Sequence, residues 1–413
     1  MGATWHTLPT EMQLAVVDNL DVADAKLLAS VDQRTYAACV PLLFRDVKLS
    51  SHSDLEHFLE NVPRAYCRHI ERLDLATGGG ARTHADAVIA LLLASPRLAQ
   101  LELCLRGSLD KSVVAAFACL FNLRHLTIRN AASEEDLPLS ERLVVSIAAS
   151  VPDLWHLHLD RISRSTLHAP DLVGQYPYVP LVLGDDDIPD HPLLGADLSL
   201  PSLLRIGSLR TLTIRDTHLG DPRWASTPVA CRLEVLDLGS CAHAPEDVNR
   251  ACTERIMAAV GPTLDAFSLA TPISAPRPDA ALPRLRRLHI SPFFPVDGVV
   301  DTIAALAGSP IEALSLQCFP DDVVDVCGAL EEFLSLRVAR GPAFYDKLTR
   351  IDVSVSASDA FAVVSGDDAA ERAAATQRLQ DFCRDLQLAS KIAKCPVRAA
   401  ARVDRLRSNS CAF

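Results

Sequence analysis

Across most of the chain, aliphatic side chains return in the order aliphatic-x-x-aliphatic-x-aliphatic. Ten copies are clear: Ile70–Leu75, Leu98–Leu103, Leu123–Ile128, Leu154–Leu159, Leu209–Ile214, Leu233–Leu238, Leu264–Leu269, Leu285–Ile290, Ile311–Leu316 and Leu348–Val353. An eleventh, Tyr178–Leu183, is degenerate. Within each copy the last positions alternate apolar and polar, the period of a strand with one buried face. The count alone proves little, because aliphatic residues are frequent enough for chance to supply as many hits. Spacing is the stronger signal. First positions run 70, 98, 123, 154, 178, 209, 233, 264, 285, 311 and 348, a mean step of about 28 residues, inside the range of stacked repeat units. Proline stands two residues ahead of four copies (Pro96, Pro152, Pro262, Pro283), where it stops a helix from running into the strand. Helical patterns fill the gaps at Ala85–Ala94, Glu141–Ser150, Glu246–Val260 and Gly298–Ala307. Strand, loop and helix repeated at this step predict parallel strands with right-handed crossovers on one side. The fold class is α/β, and the repeat region should form one solenoid instead of separate domains.

The first fifty residues follow a different rule. Leu8-Pro9-Thr10-Glu11 reads as a helix start, since proline fits the first turn and an acid favours the positive helix end. Met12, Val16, Val17 and Leu20 then recur at helical spacing and predict one apolar face. Asp24 is the expected cap of a second short helix with Leu27, Leu28 and Val31. A third spans Arg34 to Val40, ahead of a strand-like stretch ending at Leu49. So small a helical unit makes a weak core by itself. It serves either as a cap for the repeats or as a docking module with an apolar face.

The order of Leu8, Pro9, Glu11, Val16, Val17, Leu20, Asp21, Asp24, Leu28, Val31, Arg34, Leu42, Leu43, Phe44, Arg45, Val47 and Leu49 resembles the F-box that opens many fungal F-box/leucine-rich-repeat proteins. Two positions depart from that pattern: Ala25, where the family often has leucine, and Asp32, where it often has cysteine. Both changes trim apolar surface. The resemblance implies a three-helix module that docks a Skp-type adaptor and, through it, a cullin–RING ubiquitin ligase. Leu8, Pro9, Val16, Val17, Leu20, Leu28 and Val31 would then form or support the docking ridge, as apolar helix burial in a groove requires. The same residues could instead only close a small helical core.

The repeat region resembles the leucine-rich repeats of F-box proteins, more loosely. The fuller pattern Leu-x-x-Leu-x-Leu-x-x-Asn/Cys is completed only at Leu233, Leu236, Leu238 and Cys241, while other turns hold Ala131, Ile162, Thr217 or Pro272. An irregular internal polar ladder and uneven curvature follow. The expected organisation is an F-box-like domain over 1–50, a linker helix over 51–69, a solenoid of about 10–11 repeats over 70–355, a C-terminal capping helix region over 356–396 and a basic tail over 397–413. The capping helix would start near Asp368–Glu371 and carry Leu379, Phe382, Leu386 and Ile392.

Composition narrows the function classes. Sixty-one leucines in 413 residues and 49% hydrophobic side chains exclude a mostly disordered chain. A formal net charge of −12 offers no field for nucleic acid or anionic membrane. The longest apolar run, Ala87–Ala94, is far too short to span a bilayer, and Met1–Thr10 lacks a signal-peptide pattern. A cytoplasmic or nuclear protein is expected. Its twelve cysteines include no Cys-x-x-Cys pair, so they are read as reduced, buried apolar residues. Gly78-Gly79-Gly80 lacks the rest of a phosphate loop, no nucleophile elbow or paired-histidine zinc motif occurs, and neither an enzyme nor a cofactor is expected.

A ligand would meet the exposed side of the strands. There the strip His125–Arg129, His156–Asp160 and Thr211–Arg215 is rich in histidine and arginine, with Arg287 and His289 farther along. His125, Arg129, His156, His158, Arg215, Arg287 and His289 are the candidate target-binding residues, since arginine forks match carboxylate and phosphate. The alternative is a plain solvated strand face. His156 and His158 lack an obvious third partner for a metal. Between Leu159 and Leu209 lies the widest break in the period, with Asp185-Asp186-Asp187 and several prolines. It reads as an extended surface loop, either part of a binding face or a solvated insertion. The whole points to a substrate-recognition subunit of a Skp–cullin–F-box ubiquitin ligase that holds an unidentified target protein, with a leucine-rich-repeat scaffold as the alternative.

Overall fold

The computed structural model describes residues 5, 8–77, 85–174, 179–273, 282–356, 373–382 and 397–399. It is a mixed α/β protein of two compact units. The described residues of the first lie within Met1–Leu167 and Pro180–Leu203, those of the second within His168–Val179 and Leu204–Ser408.

The first unit opens with α1 (Thr10–Val17), α2 (Val22–Ala29) and α3 (Gln33–Leu43). Asp21, not Asp24, caps α2, accepting the Asp24 backbone N–H at 2.8 Å. Asp32 caps α3 and also accepts the Thr35 hydroxyl, so its carboxylate closes a helix end. The core between the helices is Val17, Ala25, Cys39 and Leu42, with Trp5, Leu20 and Leu28 half-buried against it. Ala25 therefore fills an interior position, and its small size trims no outer surface. The expected apolar face of α1 is turned the other way: Gln13 and Val17 are buried, while Met12 and Val16 face outward. Gln13 takes the inner place because its amide donates to the carbonyls of Trp5 and Leu8 at 2.8 and 3.3 Å. A buried amide that pairs with otherwise unmet carbonyls costs little to bury.

β1 (Asp46–Leu49), α4 (His52–Asn61) and α5 (Arg64–Cys67) follow. Phe44 meets Phe58 and Tyr66 with ring centroids 6.3 and 5.3 Å apart, so the helices and the first strand share an aromatic core. β2 (Arg72–Ala76), α6 (Ala85–Ala94), β3 (Gln100–Leu105), α7 (Val114–Phe117), β4 (His125–Asn130), α8 (Glu141–Ser150) and β5 (His156–Asp160) continue the unit. From β1 to β5 each strand pairs in parallel with its successor. The register stacks Leu73, Leu101, Leu126 and Leu157 in one row, and Leu75, Leu103, Ile128 and Leu159 in the next. All eight are buried. The period in the sequence is thus the vertical spacing of two apolar rows.

The degenerate eleventh copy does not join this series. Its described residues, 179–183, include β7 (Leu181–Val182), which pairs with β6 (Arg164–Ser165) in a separate two-stranded sheet. The acidic insertion is solvated only in part: Asp186 and Asp187 are exposed, but Asp185 is not. Asp185 is buried and accepts the hydroxyls of Ser140 and Ser165 at 2.6 and 2.7 Å. Arg142 donates to the carbonyls of Asp185, Ile188 and Ala196, and Lys111 pairs with exposed Asp187 at 2.8 Å. Glu141 and Arg164 form an ion pair beside them, both fully buried. An acidic run in sequence says nothing of the hydroxyls and guanidinium that the fold brings to it.

In the second unit β8 (Thr211–Arg215), β9 (Val235–Leu238), α9 (Glu246–Val260), β10 (Ala266–Leu269), β11 (Arg287–Ile290), α10 (Val299–Ala305), β12 (Ala313–Cys318), α11 (Val323–Arg340) and β13 (Arg350–Val355) follow in order. Again each strand pairs in parallel with the next. α11 is the longest described helix and had no counterpart in the sequence reading. Its buried residues Val323, Val326, Ala329, Leu330 and Phe333 lie on one helical face. Tyr345 packs edge-on against Phe333 and donates to the Ile303 carbonyl at 2.6 Å. Of the expected capping helix, 373–382 is helical with Ala375 and Leu379 buried, whereas Asp368, Glu371, Leu386 and Ile392 lie outside the described residues. β14 (Val397–Ala399) pairs in parallel with Ile351–Val353, so the expected basic tail begins as a strand.

Polar groups inside the turns are irregular, as the broken consensus suggested. Asn130 accepts the backbone N–H groups of Gly107 and Ala132. Asn249 reaches back to Cys241, while Thr302 accepts the Ile273 N–H. Among the described cysteines none is in a disulfide, and six of nine are buried. Burial pushes the Cys231 and Cys318 thiols up to about 11 and about 12, so they stay protonated at neutral pH.

Candidate functional site

Two surfaces hold the residues singled out by the sequence. The first is the outer side of α1 and α2. Val31 is 65% exposed, Val16 44%, and Pro9 is also exposed. Val17 is buried, and Leu8, Leu20 and Leu28 are half-buried, the last two packed on the small core. The set therefore splits into outward groups and their support. The sequence reading missed Met12, Leu14 and Leu27 as surface groups, with Leu27 70% exposed. Part of the signal was present: Met12 and Val16 are an i,i+4 pair within α1, which lies on one helical face, whereas Val31 lies beyond the end of α2.

The remaining candidates lie on the exposed side of the strands, in each unit separately. In the first unit His125 and His156 are register partners, with rings stacked 4.2 Å apart and 3° from parallel. His158 sits in the next row opposite Thr127. Arg129 and Asp160 are register partners and form an ion pair at 3.0 Å. Toward β1, Arg72 pairs with Asp46 and Lys48 with Asp74. In the second unit Arg215 reaches Asp237 at 2.8 Å and Arg287 reaches Asp265 at 2.8 Å. All three candidate arginines are thus neutralised by aspartates of neighbouring strands or turns in their own unit. Exposed pairs of this kind are worth about 0–1 kcal/mol. An incoming carboxylate displaces an aspartate at small cost and gains correspondingly little.

His289 is held below the usual imidazole range by burial, against an opposing pull from Asp237 that exceeds the further lowering by Arg215. A histidine with a lowered folded value takes its proton later than in the unfolded chain. The unfolded state then binds more protons, so stability is lost as pH falls below about 6.5 toward that lowered value. His69 and His191 are lowered by burial as well and act in the same direction. Urea midpoints at pH 7.5 and pH 5.5 check this. The midpoint should drop on acidification, and less so in His289→Gln.

Among the described residues no group of three or more His, Cys, Asp or Glu is arranged to hold a metal ion. None of the described helices is long and apolar enough to cross a membrane. Gly78–Gly80 fall outside the described residues.

No family model matches the sequence, and no curated protein matches it. Among solved structures the chain is similar to one in the crystal structure of the Rad7 and Elc1 complex in yeast, at 13% identity and a TM-score of 0.33. That match covers 88% of this chain and 92% of the other.

Proposed function

We propose that the protein is an F-box/leucine-rich-repeat interaction protein, the substrate-recognition subunit of a Skp–cullin–F-box ubiquitin ligase. The observation that carries this reading is the outward placement of Met12 and Val16 on α1, Leu27 on α2 and Val31 just beyond α2, around a core already filled by Val17, Ala25, Cys39 and Leu42. Apolar side chains left over after a core is complete are the currency of helix docking. The parallel strand series, each copy closing two apolar rows on the next, supports a repeat solenoid as the target-binding part. In this reading the protein performs no chemistry and needs no cofactor. It holds a target near the charged ubiquitin carrier in the cytoplasm or nucleus, and rate comes from proximity. The target would lie along half-exposed strand positions, which in the first unit present the stacked histidines and the paired Arg129 as a mostly neutral polar surface.

Co-purification of the full chain with a Skp-type adaptor tests the reading. The wild type should retain the adaptor, and Leu27→Asp with Val31→Asp should reduce retention at least ten-fold. Burying two such side chains is worth about 3–6 kcal/mol, and thermal melting should stay within a few degrees because both are exposed. A wild-type chain that retains no adaptor leaves a leucine-rich-repeat scaffold without a ligase role.

A further inference from the structure

In the first unit the turns that lead into β2, β3 and β4 close in the same way. The N–H groups of Ile70, Leu98 and Leu123 donate to the carbonyls three residues back, Cys67, Ser95 and Leu120, at 3.0, 3.1 and 3.1 Å. Residues ahead of these strands therefore hold matching places in successive repeats, about 5 Å apart. Arg68 with His69, Pro96 with Arg97 and Phe121 with Asn122 line up in this way, and Asn122 donates to the Pro96 carbonyl at 2.8 Å. The next step ends on Trp155, whose backbone N–H donates to the Arg124 carbonyl at 3.0 Å. Phe121 is 67% exposed and Trp155 46%. The indole is nevertheless held in place. Its Nε1 donates to Asp153 at 3.1 Å, and the Arg124 guanidinium, paired with Asp153 at 2.7 Å, lies 5.5 Å from the ring centre.

This rim is basic in an acidic protein. Over 61–70, 87–101 and 111–132 the sequence has no aspartate or glutamate, although the chain as a whole carries a net charge of −12. Arg68 and Arg97 are exposed. Burial and then the charges of these two arginines lower the His69 imidazole, which places both guanidiniums around one ring. Arg72 and Arg124 are neutralised by Asp46 and Asp153. Arg68 and Arg97 have no carboxylate partner among the described residues. Packing between repeats accounts for neither two unpaired guanidiniums nor two exposed aromatic rings along one rim.

We propose that this rim docks an extended acidic segment of a partner protein, with carboxylates on Arg68 and Arg97 and an apolar side chain on Phe121 and Trp155. The inference rests on the interaction reading above and names the class of target. One guanidinium per repeat, about 5 Å from the next, matches single charges spread along an extended chain at about 3.4 Å per residue. A phosphate concentrates its charge on one centre and calls for guanidiniums that converge. A nucleic acid would carry its charge past the rim onto a protein of the same sign. Two repeats separate Arg97 from Trp155, so the acids and the apolar group should stand about three residues apart. A ring already held by Arg124 and Asp153 loses little freedom when it is covered.

The test is fluorescence polarisation with the full-length chain and labelled peptides. Each peptide has three glutamates and a Phe-Leu pair separated by one to four glycines, in either order. At least one spacing should bind, and its glutamine counterpart should bind at least ten-fold more weakly. Arg68→Glu with Arg97→Glu should weaken binding at least ten-fold, and Phe121→Ser at least five-fold. Raising salt from about 50 to about 500 mM should weaken it as well. All three side chains are exposed, so these variants keep the fold, and melting curves verify it. No binding by any glutamate peptide up to about 1 mM, or binding indifferent to both the charge reversal and the phenylalanine, overturns the proposal. Phosphoserine counterparts or a twelve-nucleotide single strand that bind more than ten-fold tighter assign the rim to another ligand, and overturn it too. A chain that binds the glutamate peptides but retains no Skp-type adaptor upholds the rim and fails only the ligase reading.

Discussion

Glu141→Ala should destabilise the first unit by roughly 3–5 kcal/mol, the cost of leaving one member of a buried ion pair without its partner. Arg164 Nε lies 2.6 Å from Glu141 Oε2, and neither side chain has any exposure. The other carboxylate oxygen accepts the Ser165 backbone N–H at 3.0 Å, so the substitution also strands a buried donor. Urea unfolding of wild type and variant measures the loss. The double change Glu141→Leu with Arg164→Met should recover most of it, because an apolar pair of similar volume avoids desolvating two charges. If the double variant is as unstable as Glu141→Ala, packing and not charge governs the site.

Arg142→Ala should release the segment from Asp185 to Ala196. The guanidinium is buried and donates to three carbonyls of that segment. Hydrogen bonds from a charged donor contribute about 1.5–3 kcal/mol each; without them the Asp185 and Ala196 carbonyls keep only the backbone N–H groups of Ile188 and Leu198, and the Ile188 carbonyl loses the guanidinium. Asp185 stays tied by the two serine hydroxyls, so the change should be local. Hydrogen exchange should accelerate at least ten-fold over 185–196 and remain near wild type over β2, β3 and β4. Uniform acceleration across all of these would make Arg142 a general stability residue instead of a fastener.

The strands and most helices were legible because the constraint is local. Each of the ten clear copies contains a strand, and the helices Ala85–Ala94, Glu141–Ser150 and Glu246–Val260 have the expected bounds. One apolar row per motif position leaves the same mark every 28 or so residues. α11 escaped because no strand motif or side-chain cap flags it, although its buried positions recur at helical spacing. The candidate surfaces were half legible. Residue types on the strand face were readable from alternation, but their partners were not: Asp160, Asp237 and Asp265 neutralise arginines from neighbouring strands or turns.

The sequence by itself determined the period, the strand positions and the residue types that alternate between inside and outside. A two-residue alternation and a repeated step suffice to fix these. Only the tertiary structure decided which way α1 faces, why Ala25 and Asp32 stand where they do, and that the acidic insertion is buried at Asp185. Those outcomes depend on partners tens of residues away, such as Thr35 for Trp5 and Ser140 for Asp185. Hydrogen-bond satisfaction in a dry interior is a property of neighbours in space, and no pattern along the chain records it.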